Sequence, residues 1–282
     1  MKGFLRMMKH EGLTPVSYSF VLAEYPAGIK KTQKAEAKEI VSDFTVNSLL
    51  GKRLKLSFTG EIRCVDCGRT TTKSFNQGSC YSCFMNLASN DMCILKPETC
   101  HHHLGTCREP EWGLSNCFKK HTLYLANTSG IKVGITKENP VSKRWVDQGA
   151  MYAIPVLEFV SRRDSGIVEN TLAKYVADKT SWQKLISSDS LEVDLFKKRD
   201  ELLSKIKLEE LVKEYTIIKK AKLTEIKYPI LKYPDKKVSY KPDKDKPIDD
   251  ILIGIKGQYL LFEKGVINLR SYGGYHLEIE VI

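Results

Sequence analysis

All eight cysteines of the 282-residue chain fall between Cys64 and Cys117. The first four read C-V-D-C (Cys64, Cys67) and, after twelve intervening residues, C-Y-S-C (Cys80, Cys83). Two thiolates this close along the chain can bind one ion from a tight turn, and two such pairs complete a tetrahedron around zinc. Gly68 and Gly78 suit the sharp turns of a zinc ribbon. Such a closed site has no open position for a substrate, so the ion is expected to be structural, contributing on the order of 10 kcal/mol to folding of the module. A redox pair or an iron–sulfur cluster is the other use of the same spacing. Cys93, Cys100, Cys107 and Cys117, with six, six and nine residues between them, predict a second structural zinc site. One of His101, His102 or His103 could stand in for a cysteine there.

A second group of residues suits phosphate chemistry. Tyr124 lies in HTLYLANTSGIKVGIT, Arg144 in SKRWVDQGA and Glu169 in SGIVENTLAKYV. Hydrolysis of a phosphodiester needs an activated water, a clamp on the charge that develops on phosphorus, and a hold on a divalent cation. An arginine fork suits the clamp, and a carboxylate suits Mg²⁺ or Mn²⁺. Over roughly residues 120–185 this succession resembles the core of the GIY-YIG nuclease superfamily. The resemblance places Tyr124 on the first tyrosine motif, Lys132-Val133-Gly134 on the second, Arg144 on the helix arginine and Glu169 on the metal-binding glutamate. It implies that Tyr124 deprotonates or positions the water, and that Trp182 is the aromatic closing some members' sites. Lys132 replaces the second tyrosine, and 25 residues from Arg144 to Glu169 is a short spacing for such nucleases.

Four longer segments, IRCVDCGRTTTKSFNQGSCYSCF, KPETCHHHLGTCREPEWG, KVGITKENPVSKRWVDQGA and GIKGQYLLF, are similar to an uncharacterised bacterial family, domain of unknown function 2797. That resemblance spans nearly the whole chain and brings an architecture without an activity.

The elements that must position these residues follow from periodicity. Residues 1–62 read as β-rich, because SYSFVLAEY and KRLKLSFTGEI alternate with period two, around a helical or irregular excursion ending at Gly51. Residues 63–118 are the cysteine module. Residues 119–187 read as an α/β unit: a hairpin, a short helix, a third strand, and a helix with Ser165 as its N-cap candidate. Residues 188–225 carry helical periodicity. The proline-bearing stretch 226–249 reads as a linker or arm, and 250–282 as three or four antiparallel strands. Those strands are too few to bury a face alone, so they are expected to pair with the N-terminal part. The fold class is α+β: a zinc-ribbon-like module and a GIY-YIG-like unit inserted in a small antiparallel β-module formed by both termini.

The formal net charge of +11 suits a polyanion, DNA or RNA, since each neutralised phosphate releases counterions. No segment has the apolar length of a signal peptide or a membrane span, which predicts a cytoplasmic protein without a membrane partner. The expected function is a zinc-stabilised nucleic-acid-binding protein, with divalent-metal-dependent endonuclease activity implied by the GIY-YIG resemblance. A non-catalytic RNA-binding module, ribosome- or tRNA-associated, and a protein-interaction scaffold remain open.

Overall fold

In KRLKLSFTGEIR the apolar side chains recur every second residue, and in the computed structural model this segment is one long strand. The structure describes residues 1–137, 140–176, 182–186, 193–244 and 246–282. In chain order the first strands are β1 (Lys2–Leu5), β2 (Lys9–Glu11), β3 (Ser17–Ser19), β4 (Val21–Glu24), β5 (Lys38–Val41), β6 (Arg53–Arg63) and β7 (Thr70–Thr71). Then come β8 (His121–Asn127), β9 (Ile131–Thr136), β10 (Tyr152–Phe159), β11 (Thr216–Ile217) and β12 (Thr224–Glu225). Last are β13 (Ile248–Lys256), β14 (Tyr259–Phe262), β15 (Val266–Asn268) and β16 (Tyr275–Val281). The helices are α1 (Tyr81–Asn86), α2 (Met92–Leu95), α3 (Pro110–Asn116), α4 (Ser142–Asp147), α5 (Arg162–Ala173), α6 (Trp182–Leu185), α7 (Leu195–Leu203) and α8 (Leu208–Leu211). No helix among the described residues is long and apolar enough to cross a membrane.

The chain divides into two compact units, residues 1–85 with 227–282, and residues 86–226. The first is built on an antiparallel sheet ordered β15-β14-β13-β6-β16-β1-β4-β5, with β7 added to β6. The last strand of the chain therefore lies between β1 and β6 (Lys2↔Glu278, Leu56↔Ile279). Alternation explains the pairing: Leu54 and Leu56 of β6 and Leu277 and Ile279 of β16 are all buried. The excursion after β4 contains edge strand β5 and a 3₁₀ turn at Val46–Leu49. Residues 227–244 are also tied to this unit, although their prolines suggest an arm. Lys227 N donates to Leu13 O (2.7 Å), Leu231 N to Ile253 O (2.8 Å) and Tyr240 N to Val266 O (2.8 Å). Prolines remove only their own donors, and the residues between them still bond.

In the second unit, β8 and β9 form an antiparallel hairpin from Thr122↔Thr136 to Asn127↔Ile131, and β10 pairs with the other edge of β8. Leu123, Leu125, Val133 and Ile135 join Val168 and Leu172 of α5 and Leu195 and Leu202 of α7 in one apolar core. Tyr124 and Gly134 face the other side, as alternation requires. Helix α5 starts four residues earlier than its sequence suggests. Its N-cap is Ser161, which is extended (φ −134°, ψ 151°) and accepts from Asp164 N at 3.1 Å. Ser165 is instead buried inside the helix, donating to Arg162 O at 2.7 Å. Helix α5 ends at Ala173 and residues 174–176 form a turn, while residues 177–180, and residues 188–192 of the expected 188–225 helical segment, lie outside the described residues. The rest of that segment contains α7 and α8 but ends in β11 and β12, which pair with β10.

Candidate functional site

Cys64 follows directly on β6, and the chain turns back at once: Gly68 N donates to Cys64 O and Cys64 N to Arg69 O, both at 2.9 Å. A second turn, Phe75 to Ser79, places Cys80 before α1 and Cys83 within its first turn. Gly68 and Gly78 both take positive φ (72° and 139°) in these turns. The four sulfurs lie within 4.8 Å of one another, with Cys67 Sγ and Cys80 Sγ 3.8 Å apart. A zinc tetrathiolate with bonds of about 2.3 Å has sulfurs roughly 3.8 Å apart. Cys80 N points at Cys64 Sγ (3.1 Å), the kind of amide contact that stabilises a bound thiolate. Burial pushes the Cys64 thiol up to about 11, and four thiolates this close repel, so a divalent cation at their centre is what would let all ionise. This cluster could hold a zinc ion.

The second unit gathers the phosphate-type residues around Tyr124. This side chain is fully buried, and its ring lies across Gly134 on the paired strand. A Cβ at Gly134 would stand 2.5 Å from Tyr124 Oη, so only glycine leaves room for the ring. Trp145 of α4 meets the ring edge-on at 6.0 Å. The phenol is 2.7 Å from the side-chain amide of Gln148, which directly follows α4. That amide is satisfied when its nitrogen donates to Tyr124 Oη and its oxygen accepts from Arg144 Nε (3.1 Å) and Nη2 (3.2 Å). Arg144 also donates to the phenol oxygen. Glu169, two turns along α5 from Arg162, is close enough for its charge to act on both Tyr124 and Arg162.

The structure thus joins Tyr124 and Arg144 through Gln148, with Glu169 of α5 near enough for its charge to be felt at the phenol. Burial pushes the Tyr124 phenol up to about 12, with Arg144 acting the other way. It is therefore protonated at neutral pH and suited to donating a hydrogen bond, not to acting as the water-activating base. Lys132 is half-buried opposite Ala126 and, two residues before Gly134, shares the Tyr124 face of the hairpin. Trp182 opens α6, a helix that packs through Leu185 against Gly149, beside the cluster. Gln148 is not among the residues that the resemblance implied. Arg162 is half-buried, with Nη2 donating to Ile94 O at 2.7 Å.

The second cysteine set lines one small cavity. Beside it Asp91 caps α2 by accepting from Cys93 N (3.2 Å) and pairs with Arg108 (2.7 Å). Asp91, Cys93 and His101 have ligand atoms within 4.8 Å of one another. Nothing in the spacing of the cysteines signalled Asp91. His102 faces the Pro110 carbonyl (3.3 Å) and packs on Phe118, and His103 is exposed.

Both cysteine sets and the Tyr124 cluster fall within residues 51–277, the span matched by the family described as Protein of unknown function (DUF2797). The chain belongs to that family. Among the curated proteins and the solved structures, none matches it. Within this DUF2797 chain the functional reading therefore rests on the geometry of the two thiol clusters and of the residues around Tyr124.

Proposed function

We propose that this DUF2797 protein grips the phosphate backbone of DNA or RNA at the cluster of Arg144, Gln148, Tyr124 and Glu169 in its second unit, while zinc at Cys64, Cys67, Cys80 and Cys83 stabilises its first unit. The observation that carries the reading is the Arg144 guanidinium, held by the Gln148 amide and the Tyr124 phenol so that its fork is oriented before any ligand arrives. A preoriented guanidinium can take two phosphate oxygens with little ordering cost. The +11 net charge favours the same class of partner through counterion release.

A second reading, phosphodiester cleavage, is favoured by the nearness of Glu169. Its carboxylate could hold one Mg²⁺ or Mn²⁺, an ion that would supply a polarised water and charge stabilisation at phosphorus. Arg144 would then neutralise the charge on the phosphorus oxygens, and protonated Tyr124 would hold the water or an oxygen by hydrogen bonding. One experiment addresses both readings: fluorescence anisotropy on mixed single- and double-stranded probes across salt, with cleavage followed in Mg²⁺ and Mn²⁺. The expected result is affinity that falls with salt and drops in Arg144→Ala. Cleavage that survives Glu169→Gln would remove the cleavage reading. Absence of affinity even at low salt would remove the binding reading and leave the scaffold.

A further inference from the structure

We propose that Cys93, Cys100, Cys107 and Cys117 hold a second zinc-class ion, and that the anionic centre it forms clamps Arg162 and so seats α5, the helix carrying Glu169. All four thiols line one cavity of about 10 Å³, room for about one water-sized sphere. Each comes from a different short piece of chain: Cys93 from α2, Cys100 and Cys107 from the loops around residues 97–109, and Cys117 from the end of α3.

The competing donors are already engaged. Asp91 gives one oxygen to the Cys93 amide and the other to Arg108. His101 Nδ1 is 2.7 Å from Thr106 Oγ1, and its Nε2 faces Asp91 at 3.5 Å. Four thiolates on Zn²⁺ carry a net charge of about −2, which needs cations and donors around it. Arg162 is so placed. Its charge acts on both Cys117 and Cys93, its backbone N donates to Cys117 O at 2.8 Å, and its Nη2 donates to Ile94 O. Four residues along α5, Gly166 lies so close to Pro97 that a Cβ would stand 2.4 Å from the proline ring. The helix thus starts on the cysteine segment and carries Glu169 one turn beyond that contact.

The test is metal content of the zinc-loaded full chain, read by elemental analysis. Two ions per chain are expected, one in Cys93→Ser/Cys117→Ser, one in Cys64→Ser/Cys80→Ser, and two in His101→Gln. Retention of both ions by Cys93→Ser/Cys117→Ser, or loss of one in His101→Gln, overturns the ligand set. Should the double variants fail to fold, alkylation footprinting of the wild-type chain decides instead. Cys93, Cys100, Cys107 and Cys117 should be protected by Zn²⁺ and become labelled together as chelator removes it; equal labelling with and without zinc refutes the site. Hydrogen exchange should show α5 losing protection on removal of this ion while β8 and β9 keep theirs, and unchanged α5 protection overturns the clamp. The link to phosphate binding rests on the proposed function, but ion count, footprint and exchange are read without nucleic acid, so the two can fail separately.

Discussion

Tyr124 and Gly134 face each other across the β8–β9 hairpin, and the tyrosine ring occupies the space where any other residue at 134 would place its Cβ. The phenol is thereby pressed toward Gln148 and Arg144, and the orientation of the arginine depends on a missing methyl group one strand away.

Gly134→Ala therefore forces the ring to move, at a cost of about 1–3 kcal/mol as for other overpacked cores. Tyr124→Ala removes the obstacle, so in the double variant the alanine at 134 adds little beyond the effect of losing the ring. Urea denaturation of the four proteins checks this. Additive losses would mean that the ring and the glycine are not coupled.

Arg144→Lys keeps the charge and discards the fork. A lysine cannot satisfy the Gln148 oxygen with two parallel donors and still reach phosphate bidentately. Nucleic-acid affinity is expected to fall about tenfold with the salt slope nearly unchanged, because lysine still neutralises a phosphate, whereas Arg144→Ala should reduce the slope in duplex DNA by about 0.9. Stability should change by less than about 1 kcal/mol. An anisotropy titration at several salt concentrations reads both quantities, and an unchanged slope in Arg144→Ala would detach Arg144 from the phosphate.

His121 is buried at the start of β8 with Nδ1 2.7 Å from the Lys119 carbonyl. Burial pulls its imidazole down to about 4, while in the unfolded chain it titrates near 6.5. Between those values the unfolded state takes up a proton that the folded state refuses. The stability due to neutral His121 is thus full above about 6.5 and lost as pH falls toward 4, by about 3 kcal/mol in all. Denaturation at pH 7.5, 5.5 and 4.5 should show His121→Gln losing less than the wild type over this range; parallel losses would assign the acid limb to other groups.

The two cysteine sets differ in how far the sequence carried them. Cys64, Cys67, Cys80 and Cys83 were legible because a C-x2-C pair confines two sulfurs to one turn whatever the rest of the chain does. Cys93, Cys100, Cys107 and Cys117 have no such local constraint, and the engagement of Asp91 by Arg108, and of Arg162 by Ile94 O, exists only after the chain has folded. The order Tyr124, Arg144, Glu169 was readable, but the burial of the tyrosine was not. A strand tyrosine can face either side, and only the packing of α4, with Trp145, closes over this one. The stretch 226–249 misled for a related reason: composition reports the prolines, not the open sheet edge to which the residues between them bond.

Between residues 64 and 85 few apolar side chains are buried, Phe75 and Phe84 being only half-covered and Tyr81 61% exposed. Hydrophobic burial is therefore too small to order the two turns, and coordination by Cys64, Cys67, Cys80 and Cys83 must do so. Removing the ion should unfold this segment while the strands of the sheet persist. Because coordination displaces protons from thiols that burial holds high, as at Cys64, zinc affinity should fall steeply with acidification. Limited proteolysis with and without chelator should show new cleavage near residues 72–77, reproduced by Cys80→Ser in the presence of zinc. Chelator-resistant protection of these turns would mean that the four thiols hold together without a metal.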